Sequence, residues 1–324
     1  MNSGNYSKAS TMFINLGDYK DSHQRIKECE EKTREERFEK MIALISSENV
    51  NDTLEAFKLL GENPDQELFG KVINYEAVVL MKSDPKNAAI TLEALELENA
   101  LSVLDEIGSI DKTIRTAIIS ECSLQNQALF LGIGDVITFG FFEQDNNKNN
   151  GNEQIEWIII DKNDDKLFLV SKYALDSKPY YTHEKATTWE TSSIRYWLNN
   201  FFISNAFTTE EQNLIQTTTV HADKNPKYDT PSGNDTEDKI FLLSINEANK
   251  YFSSDLERET KATAYIKNIK ANIDKDGYTW WWLRSPGSQD YFAAGVASDG
   301  SIHYSGRKVD NNHNTIRPAL WIRP

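Results

Sequence analysis

The chain has 324 residues, 26% of them charged and 39% hydrophobic, which is a globular composition with length enough for two domains. Its formal net charge of −15 repels phosphate backbones and anionic lipid, and no Lys/Arg run reverses this locally, so nucleic acid and membrane surfaces are excluded as expected partners. No stretch approaches the roughly 20 apolar residues of a membrane span. The opening "MNSGNYSKAS" lacks the basic-then-apolar pattern of a signal peptide; the expected location is cytoplasmic, unless the true start lies upstream of Met1.

The first part of the chain reads as helical. In "REERFEKMIALISS", Phe38, Met41, Ile42 and Ile45 follow the i, i+3, i+4, i+7 spacing of one apolar helix face. "AAITLEALELENALSVLDEI" is rich in Ala, Leu and Glu, strong helix formers. Asp84-Pro85 offers an N-cap followed by proline at the first helical position. Gly17, Gly61 and Gly108 look like helix stops. The reading gives five or six helices. Phe13-x-x-Leu16-Gly17-Asp18 recurs as Phe57-x-x-Leu60-Gly61-Glu62, a faint repeat at a period seen in helix-pair arrays; a plain bundle is the alternative. Cys29 and Cys122 have no CxxC or Cys/His neighbour, so a disulfide framework is not expected and a reducing compartment is.

Near "LFLGIGDVITFG" the composition changes. All seven tryptophans follow residue 150. Residues 1–130 carry 23 acidic and 14 basic side chains, the remainder 27 and 21. The boundary is placed at residue 130, giving an α-helical domain over 1–130 and a second domain over 131–324. In the second, "DVITFGFF", "IEWIIID", "KLFLVSK", "KIFLLS", "TWWWLRS", "AAGVAS", "SIHYS" and "IRPALWI" are short β-branched and aromatic runs between turns. "SSIRYWLNNFF" has helical spacing, and Thr208-x-x-Glu211 and Ser244-x-x-Glu247 are capping boxes that open two more helices. The fold class is α+β with mostly antiparallel strands.

Chemistry has little support in the spacing. "DNNKNNGNEQIE" from Asp145 approaches a calcium loop, but its glycine falls one place late and its flanks are strands, so a polar hairpin loop is expected. "DKNDDK" at 161–166 and "DKDG" at 274–277 read as turns. The five histidines (23, 183, 221, 303 and 313) show no metal-ligand pairing. There is no GxSxG elbow, phosphate loop or dinucleotide fingerprint. No catalytic residue, metal ligand or cofactor is assigned.

In a strand, Trp280, Trp282 and Arg284 share one face and Trp281, Leu283 and Ser285 the other. Large apolar groups on both faces suggest a central, covered strand; an exposed stacking platform is the other reading. Arg284 is expected to pair internally with a carboxylate or with loop carbonyls, because unpaired buried charge is costly.

"EWIIID", "LFLVSKYALDSKPY", "TTWETSSIRYWLNNFF", "AFTTEEQNLI", "DKIFLLSINEANKYF", "WWLRSPG" and "IRPALWI" occur in that order. Together they resemble a bacterial domain of unknown function, over residues 131–324, with no activity to carry over. The WW pair, the Val296-x-x-x-Gly300 hairpin and Arg317-Pro318 are similar to the end of bacterial C-type-lectin-like domains. That superfamily includes the formylglycine-generating enzymes and the variable proteins of diversity-generating retroelements. The resemblance implies a C-type-lectin-like α+β domain, with a tail whose exposed positions are in some relatives diversified. Two departures matter. The Glu-Pro-Asn, Gln-Pro-Asp and Trp-Asn-Asp tripeptides of calcium-dependent lectins are absent, and this domain has no cysteine for formylglycine chemistry. "YSKASTMFINLGDYKDS" resembles tetratricopeptide-type units, which implies a scaffold or partner-binding role.

Between Gly287 and Arg317, Ala293, Val296 and Ile302 read as framework, and most other positions are Ser, Asp, Asn, His or Tyr, the chemistry of a paratope. The expected function is non-enzymatic ligand binding through Asp290, Tyr291, Phe292, Asp299, Ser301, His303, Tyr304, Ser305, Arg307, Asn311 and Asn312. The ligand is an unidentified protein or glycan; the helical domain is left for a protein partner or self-association. Three alternatives stay open: a polar surface with no ligand, a scaffold acting through the helical domain, and an enzyme with a pocket built from Trp189, His183 and nearby carboxylates.

Overall fold

The computed structural model describes residues 5–17, 21–62, 78, 81–163, 165–269 and 271–324. The chain divides into two compact units, Met1–Phe130 and Leu131–Pro324. Asp18 of the faint repeat and Asp164 of the 161–166 turn lie outside the described residues.

Seven helices are described in the first unit, more than the sequence suggested: α1 (Tyr6–Asn15), α2 (Ser22–Ile45), α3 (Val50–Glu62), α4 (Pro85–Glu93), α5 (Leu97–Ile110), α6 (Lys112–Glu121) and α7 (Leu124–Phe130). Asp84 caps α4 by accepting the Asn87 N–H at 3.1 Å, with Pro85 in the first turn. Gly17 ends α1 in the left-handed region (φ +54). Gly108 is not a stop. It lies inside α5, where a Cβ would come 2.7 Å from Cδ of Arg115, so its small size serves packing. The stop is Asp111, whose carboxylate accepts the N–H groups of Thr113 and Ile114 and starts α6. The Ala/Leu/Glu-rich stretch breaks at 94–96 despite its propensity. The break lets two short apolar faces be buried, Ala88, Ala89 and Leu92 on α4 and Ala100, Val103, Leu104 and Ile107 on α5. The repeat copies differ in packing: Phe57 and Leu60 are buried, whereas Leu16 is 53% exposed. Cys29 and Cys122 are both free and buried, and burial pushes the Cys122 thiol up to about 12.

The second unit is built on two five-stranded sheets and a short hairpin. In sheet one, β1 (Val136–Phe142), β2 (Glu153–Asn163), β3 (Lys166–Ser171), β12 (Ala319–Ile322) and β7 (Ile240–Phe241) lie side by side in that order, all antiparallel. In sheet two the order is β10 (Ile302–Lys308), β9 (Phe292–Val296), β8 (Trp281–Pro286), β11 (Thr315–Ile316) and β4 (Asp176–Ser177). There the β11–β8 pair is parallel and the rest antiparallel. β5 (Thr218–Val220) and β6 (Thr236–Asp238) form the hairpin. This is the expected α+β class, a helical region followed by a mostly antiparallel sheet region.

Both capping boxes form, at Thr208/Glu211 and Ser244/Glu247. The "SSIRYWLNNFF" helix is not uniform: Ser193–Trp197 is α-helical and Leu198–Phe202 widens into a π-helical turn. There Asn199 reaches the backbone of β7, accepting the N–H groups of Lys239 and Ile240 and donating to the Ile240 carbonyl at 2.8 Å. β8 is buried over its whole length, and all three tryptophans are 3% exposed or less. They are core, not platform. Gly295 makes room for Trp280, since a Cβ there would stand 1.9 Å from the indole.

Gly300 turns the β9–β10 hairpin at φ +76, with the site of its missing Cβ 1.7 Å from the carbonyl oxygen of Asp255. Its own carbonyl accepts Nε–H of Arg258 at 3.0 Å. Gly300→Ala will therefore destabilise the unit by about 1–3 kcal/mol, combining overpacking with left-handed strain. Chemical denaturation followed by tryptophan fluorescence reads this directly, and an unchanged midpoint would contradict the tight approach.

Candidate binding surface

The residues from Ser288 to Asn314 follow the core strand β8 and are tied down by backbone contacts. The Asp290 carbonyl accepts the Thr187 N–H at 2.9 Å, that of Tyr291 accepts the Val309 N–H at 3.0 Å, and that of Ser305 accepts the Ser288 N–H at 2.9 Å. Asn225 donates from one amide nitrogen to the Pro286 and Tyr304 carbonyls, both at 2.8 Å. Thr230 donates to the Gly287 carbonyl at 2.8 Å. Polar side chains from the 221–230 segment thus satisfy backbone carbonyls at the end of β8 and within β10.

On this frame the eleven candidate residues fall into separate groups. At the hairpin tip, Asp299 accepts the Ser301 N–H at 3.0 Å and its hydroxyl at 2.7 Å, which holds the Asp299 carboxyl below its usual range. This pair is occupied in shaping the turn. In mid-strand, His303 and Arg307 sit at Trp280: the imidazole is edge-on to the indole at 6.2 Å, and the guanidinium lies 4.6 Å over it. Arg307 Nη1 donates to Oδ1 of Asn314 at 3.0 Å, and burial pushes the Arg307 pKa down. Tyr304 carries the ammonium of Lys227 at 3.7 Å from its ring centre. At the base, Tyr291 and Phe292 pack edge-to-face at 5.0 Å. Asn311 accepts the His313 N–H at 2.9 Å and shapes its own turn. Asp290 and Asn312 are exposed, and Ser305 is half-buried. The candidates thus spread along a hairpin from tip to base rather than meeting in one cavity.

Trp189 and His183, named for the alternative pocket, differ in their surroundings. Trp189 is buried and donates from Nε1 to Asp238 at 2.9 Å. His183 is exposed and lies against Tyr181. A cleft of about 440 Å³ does open beside this region, lined by Glu190, Arg195, Tyr196, Asn199, Asn200 and Glu237 among others, without His183. Asp238 at its floor is held by Arg195 at 2.8 Å and by the Thr236 hydroxyl at 2.6 Å.

The 143–153 loop is the expected polar hairpin. Glu143, Asp145 and Glu153 bring side-chain oxygens within 4.8 Å of one another, a grouping that the spacing alone did not suggest. Each carboxylate is used by the loop itself. Glu153 accepts the N–H groups of Gln144 and Asp145, and both Asp145 and Glu143 accept that of Asn147.

Asp176 in β4 is 4% exposed, and burial raises its carboxyl despite the Lys178 ammonium at 3.1 Å. A carboxyl raised in the folded state costs stability while ionised, and the cost disappears as pH falls through its folded pKa. Asp176→Asn should therefore melt above the parent at about pH 7, with the gap closing toward about pH 4 as the parent carboxyl is protonated. A gap that widens on acidification would reverse the sign.

Among the described residues no helix is long and apolar enough to cross a membrane. No curated protein and no solved structure matches the chain. Residues 164–324, which include both ends of the candidate surface and the core strand beneath it, match the family model described as Domain of unknown function (DUF6273).

Proposed function

We propose that residues 131–324 form a non-enzymatic binding module of C-type-lectin-like type, and that the 288–314 segment is its contact surface. The observation that carries this reading is the division of labour within the tail. Ala293, Ala294, Gly295, Val296, Val309 and Ile316 are buried and belong to the core. Apart from the buried Asn314 and Thr315, the polar and aromatic positions between them stay at least partly accessible on a backbone fixed by Asn225, Thr230 and Thr187. A rigid frame with accessible Tyr, His, Asn and Ser is the arrangement that binding loops use, because little entropy is lost on contact. Support for the lectin-like type comes from the meeting of its sequence marks: Arg317 lies 5.2 Å from the Trp281 ring, and β11 pairs with β8 at Thr315 and Trp281.

The test is a peptide and glycan array probed with the full chain and with Tyr291→Ala/His303→Ala/Tyr304→Ala. Array binding should be lost in the triple variant while its melting temperature stays within about 2 °C, since all three side chains are at least partly exposed. Unfolding of the variant, or undiminished binding, would remove the surface assignment. A diversified tail makes a separate prediction. A near-copy of the codons for 280–318, differing at adenines, should stand beside a reverse transcriptase gene.

A second reading has one observation of its own. On α1 and its C-cap, Met12 and Leu16, four residues apart on one side, are 60% and 53% exposed, and Ile14 on the opposite side is 58% exposed, apolar surface suited to a protein partner or a second copy through the helical unit.

A further inference from the structure

We propose that Arg307, with Asn314 beneath it and His303 beside it, is a receptor for a carboxylate carried by the ligand. The inference rests on the tail being the binding surface and adds the chemical class it takes.

Residues 131–324 contain six arginines. Four have carboxylate partners: Arg195 with Asp238, Arg258 with Asp255, Arg284 with Glu247 and Asp223, and Arg323 with Asp165. Arg317 has none but is enclosed, 1% exposed, between the rings of Trp281 and Phe252, donating to the Ser171 and Arg258 carbonyls. Arg307 is different. It reaches the surface, half-buried, and no carboxylate of the described residues lies within 4.0 Å of it. Its charge is partly desolvated, and the Trp280 ring and the Asn314 Oδ1 meet it with dipoles rather than with an opposite charge.

The second observation is independent of the first. Asn314 is 0% exposed, and its Nδ2 is the one buried side-chain nitrogen or oxygen among the described residues that has no partner. Exchanging the amide's oxygen and nitrogen would not help, because it would turn an NH₂ toward the guanidinium that Oδ1 now receives. An unmet donor thus belongs to the same amide whose oxygen receives a cation that has no carboxylate partner among the described residues.

The groups left without a protein partner here are donors, since the Asn314 oxygen is already taken by Arg307. Of the Arg307 nitrogens only Nη1 has a protein partner among the described residues, which leaves Nε and Nη2 for an external acceptor. A planar, acceptor-only anion fits that fork in a two-point contact. A carboxylate is favoured over a phosphate because the chain's net charge of −15 opposes a dianion more strongly than a monoanion. Side-chain and C-terminal carboxylates share this chemistry.

The full chain, ¹⁵N-labelled, is titrated with acetyl-Gly-Glu-Gly-amide, with acetyl-Gly-Gly-Gly bearing a free carboxylate, with the neutral acetyl-Gly-Gly-Gly-amide, and with inorganic phosphate. The Arg307 Nε–H and Trp280 indole N–H resonances are followed. The two carboxylate peptides should shift both signals and the neutral peptide neither; the stronger of the two identifies the carboxylate's source. Arg307→Gln should weaken the response by about tenfold or more. Asn314→Asp places a carboxylate beside Arg307 from within, so it should fold with an unchanged or higher melting temperature and also lose the response. No shift with either carboxylate, an equal or stronger shift with phosphate, or a response kept in both variants would overturn the receptor. A response kept in Arg307→Gln but lost in the Tyr291/His303/Tyr304 triple variant would leave the surface standing without it.

Discussion

Trp281→Ala will cost the C-terminal unit about 3–5 kcal/mol, the range for removing a large core aromatic. Trp281 is 0% exposed in the middle of sheet two, its Nε1 donates to the Arg258 carbonyl at 3.1 Å, and its ring covers the guanidinium of Arg317. The substitution opens a cavity, removes one of the two donors to the Arg258 carbonyl and uncovers a buried cation at once. A unit of this size should lose on the order of 10 °C in melting temperature. Because all seven tryptophans follow residue 150, intrinsic fluorescence follows this unit within the full chain. A loss under about 1 kcal/mol would mean that the ring is not core.

The second large effect belongs to Arg284→Ala, also about 3–5 kcal/mol, for a different reason. Arg284 is 4% exposed and grips Glu247 with Nη1 and, at 3.1 Å, Nη2. It also donates to the Leu242 carbonyl at 2.9 Å and the His221 carbonyl at 3.2 Å. Glu247 meanwhile accepts the Ser244 N–H as half of a capping box. Removing the cation leaves a partly buried carboxylate and two carbonyls without their donor, and loosens the helix start at Ser244. Glu247→Gln in the same background separates the parts. If the double variant is no worse than Arg284→Ala alone, the loss is the stranded charge. Glutamine keeps the acceptor of the cap, so a clearly additive loss would show that the stranded charge is not the cause.

The elements legible in the sequence were those whose signal is local. Capping boxes at Thr208 and Ser244, the Asp84-Pro85 start and the eight apolar β runs each depend on neighbours within a few residues. The core role of the tryptophans and the internal pairing of Arg284 followed from strand alternation and the cost of buried charge. What could not be read were contacts between distant segments: Asn225 on the β10 edge, Asn199 on β7, Asp238 under Trp189, Asn314 under Arg307. Their residue types carry no period, and only the register of far strands brings them to their partners. Gly108 misled for the same reason, its space being taken by a side chain seven positions on. Of the framework positions read in the candidate surface, Ala293 and Val296 are buried, whereas Ile302 is only half-buried. The occupation of Asp299, Ser301 and Asn311 in their own turns was not legible.

The placement of β11 and β12 bears on how the protein is made. Residues 315–316 stand between β8 and β4, and residues 319–322 between β3 and β7, so one short terminal stretch closes both sheets from the inside. During synthesis β1, β2 and β3 can pair as they emerge, but sheet two is not continuous until residue 316, and sheet one until residue 322, has left the ribosome. Until then Trp281 and Trp282 lack their final covering, and the nascent unit is a hydrophobic client for chaperones. A message that stops a few codons before residue 315 would yield a polypeptide with two split sheets, fit for proteolysis rather than for partial function.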